Sequence, residues 1–321
     1  MIRLFLFLLM IALSLPPAFG SVERFSSDPI TVKLFSENPD LSLLFRPLDP
    51  ALAANDVQYK PNTGVPSGIS LSYAGVIGIS YITEINQEKV TSEKGRTTYD
   101  DFRFTFAFSR FLIGLNYLRY HGFYIENSAD VDSTLSASEP FIRRGDIKSS
   151  NIGGSFVYVF NSERFSLPAL LDQTQRQQQD GGSWMAGTSY SQFEMDSADG
   201  LVPIQLQAQY GGDATIESGR FSTASVTVGY GYTWVFAEKY YVGLVFMAGT
   251  GYQARSYVTG AGRIQNYGRV EKIDGRFGLG YNGDTFFIGA HSTGDTTSFK
   301  TETIKITTDL LNFQLFMGFR F

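Results

Sequence analysis

The chain has 321 residues, of which 15% are aromatic and 18% charged, with 33 glycines, no cysteine and a formal net charge of −5. The acidic balance excludes a nucleic-acid partner because no basic stripe would neutralise phosphates, and the lack of cysteine excludes a disulfide scaffold and a thiolate metal site. Many aromatic residues with many glycines and few charges are typical of a membrane β-barrel, in which aromatics form girdles and small residues line the lumen.

Residues 1–20 have the pattern of a secretory signal peptide. One positive charge at Arg3 precedes an apolar run of about twelve residues, 4–15, which Pro16 and Pro17 end before a small-residue site at 18–20. A membrane anchor is the alternative, but a spanning helix needs roughly 20 apolar residues. We therefore predict cleavage after residue 20.

Residues 21–56 have mixed character. Two short extended runs, 30–35 and 41–45, are separated by Asn38-Pro39-Asp40, a sequence that breaks regular structure. This segment is predicted to be a lead-in, a plug or an extra hairpin, and the pattern does not choose among the three.

From residue 57 to 321, one strand with an apolar face follows another. Every second residue from Phe102 to Phe108 is a phenylalanine, and from Val226 to Trp234 the even positions are large and apolar while the odd positions are Thr or Gly. A soluble β-sandwich also alternates, but its polar face carries many charges. We predict an all-β fold: a transmembrane antiparallel up-and-down β-barrel of about 12 strands, within limits of roughly 10 to 14.

Two short motifs interrupt the strand pattern. They are Tyr59, Lys60, Pro61 and Asn62 before an alternating strand, and Phe165, Ser166, Gly182 and Ser183 around a glutamine-rich loop. Together they make the chain resemble an uncharacterised family of bacterial outer-membrane barrels, known only as a domain of unknown function. The resemblance implies a barrel fold and an outer-membrane location over roughly residues 28–321, and it implies no activity.

The last strand has its own signature. Its apolar positions at alternate residues are Phe313, Leu315, Met317, Phe319 and Phe321. This ending resembles the assembly signal that the barrel-insertion machinery reads at the carboxyl terminus of outer-membrane barrels, except that Phe316 stands where the family usually has glycine. The resemblance implies that the insertion machinery is a partner and that the chain resides in the bacterial outer membrane.

Connection lengths alternate along the chain. Short links are predicted at 109–111, 161–164, 237–239 and 282–284, and longer ones near 86–98, 125–147, 172–182, 254–268 and 294–302. Outer-membrane barrels have short periplasmic turns and long external loops. The longer links are therefore expected outside the cell, where their charges of both signs meet lipopolysaccharide or are simply solvated.

Few residues offer chemistry. His291 and Thr293 share one strand face, an arrangement slightly like that of outer-membrane lipases, although His291 is predicted to point inward. No metal-ligand spacing and no phosphate or cofactor loop is present, so no metal and no cofactor are predicted. An enzyme of the lipase or protease type would also need an acid, such as Asp274, to orient the histidine.

The predicted inner face carries charges of both signs. They are Asp101 and Arg103 in one strand, and Lys272, Asp274 and Arg276 in another. They either select permeants by charge or pair with one another to offset their own burial. The favoured prediction is a barrel that passes or binds a small solute or lipid, in contact with membrane lipid and lipopolysaccharide. An outer-membrane enzyme and a purely structural or adhesive surface barrel are the alternatives.

Overall fold

The computed structural model describes residues 21–25, 30–49, 56–83 and 92–321. The predicted signal peptide, residues 1–20, lies outside the described residues, and so does part of the loop predicted near 86–98. Among the described residues, no helix is both long and apolar enough to cross a membrane.

Most of the described chain is β-strand. The strands are β1 (Val22–Arg24), β2 (Ile30–Pro47), β3 (Val57–Lys60), β4 (Ser67–Tyr73), β5 (Ile77–Thr83), β6 (Thr98–Ala107), β7 (Phe111–Ile125), β8 (Arg143–Val159), β9 (Gln175–Gln177), β10 (Gly181–Asp196), β11 (Ser218–Phe236), β12 (Tyr240–Thr259), β13 (Gly262–Asn282), β14 (Phe286–Lys300) and β15 (Ile304–Arg320). The short helices are α1 (Ser128–Val131), α2 (Leu167–Leu171) and α3 (Gln207–Tyr210), and single 3-10 turns lie at Ser92–Lys94, Ile204–Leu206 and Gly211–Thr215.

Twelve strands form a closed ring. Going round the wall, the order is β2, β4, β5, β6, β7, β8, β10 and then β11 to β15, with every neighbouring pair antiparallel. The ring closes between β2 and β15, which are in register from Thr31 opposite Arg320 to Pro47 opposite Ile304. The all-β, antiparallel barrel of about 12 strands is therefore confirmed.

The barrel begins earlier than the boundary predicted at residue 57. Ile30–Pro47, which was expected to be a lead-in, plug or hairpin, is the wall strand that closes the ring. The proline-containing sequence at its centre does not break it, because Pro39 lies opposite Asn312 of β15 at a position where β2 has no strand partner on its other side. A proline is tolerated where its missing N–H has no ladder to join.

The set of strands that forms the wall changes along the barrel axis. At one end β2 pairs with β4, and at the other end it pairs with β3, which also pairs with β7. The short strand β3 therefore takes the place of β4, β5 and β6 between β2 and β7. The ring therefore contains two strands fewer at this second end than at the first.

The exterior is apolar and the interior is polar. Two aromatic girdles border an outward-facing belt of Leu, Ile, Val, Phe and Met side chains. The first contains Tyr73, Phe108, Phe160, Trp184, Trp234, Tyr240 and Phe321, and the second contains Tyr81, Phe102, Tyr117, Tyr190, Tyr252 and Tyr267. A closed antiparallel ring with this exterior is the architecture of an outer-membrane β-barrel, because closure leaves no unpaired backbone group facing lipid.

The two ends of the barrel differ in their connections. The turn end, where Ile30 and Phe321 exchange backbone hydrogen bonds of 2.9 and 3.1 Å, carries the tight connections predicted at 109–111, 237–239 and 282–284. The opposite end is the loop end. A further tight turn at Ala74 and Gly75, with φ of 53° and 63°, separates β4 from β5 at the turn end.

Three of the predicted long external links are wrong. Residues 172–182 lie at the turn end, as part of one connection from β8 to β10. The short link predicted at 161–164 is wrong as well, because these residues begin the same long connection. The links near 254–268 and 294–302 are mostly strand, because β12 continues to Thr259 and β14 continues to Lys300. Their residues become polar because the strands extend beyond the apolar belt, where outward positions need no apolar side chain.

Candidate functional site

The turn end of the barrel is filled by the plug, which we define as residues 161–180 between β8 and β10. Its helix α2 lies inside the ring, with Leu167 and Leu170 each 1% exposed. Ser166 caps the helix by accepting a hydrogen bond of 3.0 Å from the Ala169 N–H. Leu170 Cδ1 lies 2.5 Å from the place where a side chain on Gly243 would start. The helix fits against the wall because Gly243 has no side chain at the point of contact.

Polar contacts hold the plug to the wall. Lys33 Nζ donates to the Leu171 carbonyl and to the Asp172 carboxylate, both at 3.3 Å. The Gln173 amide donates to Tyr241 Oη at 2.7 Å. Arg320 donates to the Gln173 carbonyl as well. Strand β2, which begins the ring, and strand β15, which ends it, therefore both bind the plug through hydrogen bonds.

A cluster of ion pairs covers the turn end. We call it the latch; it contains Glu23, Arg176, Lys239 and Asp284. Strand β1 pairs with β9 of the plug, and Arg176 of β9 bridges Glu23 of β1 at 2.5 Å and Asp284 of the β13–β14 turn at 2.6 Å. Lys239 contacts the same Asp284 at 2.8 Å. Hydrogen bonds from Lys239 and Arg176 lower the pKa of Asp284 to about 2.

The loop end is closed by the cap, which we define as residues 197–217 between β10 and β11. Six of its apolar side chains join the larger of two buried cores, whereas Ile204 is exposed. Tyr59 Oη donates to the Leu201 carbonyl at 2.5 Å, and Tyr210 Oη donates to the Phe45 carbonyl at 3.0 Å. The cap is thus bound to both β2 and β3. Its buried apolar residues are Leu201, Val202, Leu206, Tyr210, Ala214 and Ile216.

Two buried charges anchor the cap. Asp213, which is fully buried, accepts hydrogen bonds from Tyr257 Oη at 3.1 Å and Thr301 Oγ1 at 2.7 Å. Arg144 donates to Asp146 at 2.8 Å and to the Gly200 carbonyl at 2.6 Å. Burial alone would raise the pKa of Asp146, but hydrogen bonds from Arg144 and from a cap serine hold it well below its usual range.

A chamber of about 400 Å³ lies inside the barrel, and Leu171 and Asp172 of the plug form part of its lining. One side of its wall is built from small residues of β7, β8 and β10, and the other side carries charged and amide side chains of β13, β14 and β15. The small-residue side includes Gly114, Asn116, Gly153, Ser155, Gly187 and Ser189. The glycines widen the interior there because no side chain enters it.

A carboxylate that the sequence analysis does not single out is buried beside the charged and amide side chains of the chamber. Glu37 of β2 has a fully buried side chain and contacts Arg103 Nη2 at 3.0 Å. It also accepts hydrogen bonds from the amides of Asn312 at 2.9 Å and Gln314 at 3.1 Å. Arg103 bonds to Asp101 as well, so the structure brings together this predicted pair and adds a third charge.

The second predicted group also lies in the chamber wall. Lys272 contacts Asp274 at 3.7 Å and forms a closer ion pair with Asp295 of the neighbouring strand. Arg276 lines the chamber beside them. All five of the charges predicted for the lumen therefore line one chamber.

His291 and Thr293 also face the chamber, but no acid is next to the histidine across the sheet. The cross-strand partners of His291 are Gly278 and Gln314, whereas Asp274 pairs in register with Asp295. Asp274 is thus four strand positions from the partner of His291, roughly 13 Å along the strand. Among the described residues, no group of three or more His, Asp or Glu side chains could hold a metal ion.

Some residues of the two sequence motifs belong to a closure or contact one. Tyr59 is part of the cap contact described above, Lys60 bridges Asp40 at 3.3 Å, and Asn62, after Pro61, donates to the Gly95 carbonyl at 2.5 Å. In the second motif, Phe165 and Ser166 begin the plug helix, and Ser183 Oγ accepts from the N–H of Asn161, the first plug residue, at 2.8 Å. Gly182 has no room for a side chain, since one would start 2.6 Å from the Gly231 carbonyl.

Residues of the predicted assembly signal form the outward face of β15. Phe313, Leu315, Met317 and Phe319 are each about half exposed. Phe316, at the position expected to be glycine, points inward and packs on His291 with ring centroids 5.6 Å apart.

Comparison with known proteins gives a family and a set of barrels. The family described as "Domain of unknown function (DUF4421)" matches residues 23–321, and no curated protein sequence matches the chain. The outer-membrane protease OmpT from Escherichia coli is 10% identical with a TM-score of 0.41, over 92% of this chain and 98% of that one. The β domain of the Bordetella autotransporter BrkA is 12% identical with a TM-score of 0.36, over 91% and 99%. The toluene transporter TodX from Pseudomonas putida is 10% identical with a TM-score of 0.30, over 92% and 90%.

Proposed function

The chain belongs to the family of the domain of unknown function DUF4421 and is an outer-membrane β-barrel, and from this premise we propose that it binds a small polar solute in its chamber and passes it when the plug moves. The observation that carries the proposal is the chamber itself, which plug residues line, while the cap packs into the loop end of the same barrel. The turn end faces the periplasm in this proposal, because short turns lie on that side of outer-membrane barrels.

The chamber has the size and chemistry of a small-molecule site. Its volume of about 400 Å³ is within the range of ligand pockets, roughly 300–1,000 Å³. Four cations and four acids line it, which favours a neutral or zwitterionic solute over a strongly charged one. They are Lys33, Arg103, Lys272 and Arg276, and Asp101, Asp172, Asp274 and Asp295.

The plug is a better candidate for the moving part than the cap. The plug core contains ten buried residues, whereas the core that includes the cap contains twenty-nine. Segments with few buried apolar contacts open more readily than the rest of a structure. Like the cap, the plug is one continuous segment fixed at both ends to wall strands, so it can leave the lumen without unpairing the ring.

A disulfide between plug and wall tests the proposal. In the variant Leu170→Cys/Gly243→Cys, the two thiols replace a contact in which Leu170 Cδ1 lies 2.5 Å from the Cβ position of residue 243, and the loss of free thiol on oxidation verifies that the disulfide has formed. The natural chain has no cysteine, so the oxidised and reduced forms of this variant differ only in the disulfide between plug and wall. Each single-cysteine variant is the matched control.

The readout is the uptake of small sugars and amino acids by proteoliposomes. We expect uptake with reduced protein and little uptake with oxidised protein, while both single variants transport in either condition. Equal uptake by oxidised and reduced protein would show that the plug is not the gate. No uptake in any form, with the barrel correctly folded, would favour the structural or adhesive alternative.

A further inference from the structure

A second concave surface lies on the outside of the barrel, near the loop end. It is a groove of about 390 Å³ across β7, β8, β10, β11, β12 and β13. Its exposed or half-exposed side chains point away from the lumen, so it is separate from the chamber. We call it the outer groove; it is lined by Tyr117, Arg119, Lys148, Ser150, Glu194, Asp196, Ser218, Arg220, Ser256, Val258 and Arg263, together with backbone of the residues between them.

The outer groove begins where the apolar belt ends. On β7 the outward residues Leu115 and Tyr117 are 45% and 40% exposed, and the next outward residue is Arg119. On β8 the exposed Ile152 is followed towards the loop end by Ser150 and then Lys148. The groove is therefore at the depth of lipid headgroups, immediately above the second aromatic girdle.

The charges in the outer groove are arranged around one strand. Both acids, Glu194 and Asp196, are on β10, and four cations lie on the strands to either side. Arg220 is ion-paired with Glu194 at 2.6 Å. Among the ion pairs of the described residues, none involves Arg119, Lys148 or Arg263. Cationic groups thus remain available to an anion at headgroup depth.

The opposite side of the exterior lacks this feature. Past the exposed Leu311, the outward residues of β15 are Asp309 and Thr307, and those of the adjoining β14 are Thr296 and Ser298. Cations appear there only at the far ends of the two strands. At headgroup depth β14 and β15 therefore present no cation, whereas Lys300 and Lys305, with Arg46 of β2 beside them, lie farther towards the loop end.

We propose that the outer groove binds the phosphate groups of a phosphorylated glycolipid in the outer leaflet. Arg119 and Lys148 on one side and Arg263 on the other hold the phosphates through charge-assisted hydrogen bonds. The tyrosine girdle below packs against the first part of the acyl chains. This site is independent of the chamber and of any solute that passes through it.

Native mass spectrometry of the purified protein in detergent tests this site, with bisphosphorylated lipid A as the probe. The variant Arg119→Ala/Lys148→Ala removes two groove cations, and Lys300→Ala/Lys305→Ala removes two exterior cations from β14 and β15 as the matched control. At about fivefold per basic residue near an anionic surface, we expect roughly 25-fold weaker binding in the first variant and less than a twofold change in the second. Heat-modifiable mobility on a denaturing gel verifies that each variant is folded.

Two further arms distinguish the source of the phosphate. Lipid A without its phosphates should not bind, and inorganic phosphate should not displace bisphosphorylated lipid A. Complete displacement by inorganic phosphate would overturn the assignment to a lipid. Equal binding by wild type and the groove variant, or an equal loss in the control variant, would overturn the outer groove as the site.

Discussion

The contact between the plug helix and the β13 glycine gives the sharpest test of how the plug is held. A side chain on Gly278 would start 2.8 Å from Leu170 Cδ1 and 3.0 Å from the Leu170 carbonyl oxygen. Alanine at this position therefore pushes the helix away from the wall. Overpacking of this kind costs about 1–3 kcal/mol. We expect Gly278→Ala to increase the population of the undocked plug by roughly 5- to 150-fold.

A double-mutant cycle separates this contact from general damage. Leu170→Ala alone removes a buried leucine and should weaken docking by about 2–5 kcal/mol. In Leu170→Ala/Gly278→Ala the clash with Leu170 Cδ1 is gone and only the tight approach to the backbone carbonyl remains. The two destabilising effects should therefore sum to more than the double variant shows, by at least about 0.5 kcal/mol. Gly275→Ala on the same strand is the matched control, since nothing lies within 4 Å of its Cβ position.

Amide hydrogen exchange of the plug measures the undocked population. The reporter amides are those hydrogen-bonded within the plug, such as the Leu170 N–H to the Ser166 carbonyl at 3.3 Å. Faster exchange in Gly278→Ala, confined to plug peptides, is the expected result. The reasoning is refuted if plug exchange is the same in Gly278→Ala and Gly275→Ala.

Three further predictions follow from other contacts. The pKa of Asp284 is lowered to about 2. The ion pairs of Asp284 therefore stabilise the latch at pH values above the ordinary pKa of an aspartate, and this stabilisation is lost as the pH falls towards 2. After correction for the intrinsic pH dependence of amide exchange, plug opening should rise over that interval in wild type but not in Asp284→Asn, in which it should be raised already at neutral pH. Arg103→Ala leaves the buried Glu37 carboxylate without its cation and should cost ~3 kcal/mol, seen as a lower urea midpoint that Glu37→Gln partly restores. Replacing Phe319 and Phe321 by Ser removes outward apolar anchors from β15, and we expect the secreted chain to accumulate in the periplasm, whereas wild type should fractionate with outer membranes.

The ring could be predicted because its signal is local. Outward residues such as Phe102, Phe104, Val226 and Val228 alternate with polar or glycine positions within each strand, so the period of two needs no knowledge of distant contacts. The early start of the barrel was missed because the proline-containing centre of β2 resembles a break. Its strand character depends on pairing with β15, which is more than 250 residues away.

The closures could not be predicted for a related reason. The apolar run 167–171 is only five residues long, too short to show helical periodicity, and becomes a helix inside a lumen that other strands provide. Glu37 was not singled out because its partners Arg103 and Asn312 are 66 and 275 positions away. A carboxylate in an ordinary strand gives no indication of such a network until the ring is closed.

We propose that the plug restricts access to the chamber at rest and admits solute when it moves, and the reactivity of a single cysteine in the chamber measures this access. Ser191→Cys places the only thiol of the chain in the chamber wall, and a small charged thiol reagent reports its accessibility. We expect slow reaction in the otherwise natural chain and reaction faster by at least roughly fivefold, the lower bound for one kilocalorie of destabilisation, when Gly278→Ala is added. Fast reaction in the otherwise natural chain, or no change on adding Gly278→Ala, would contradict a chamber closed by the plug.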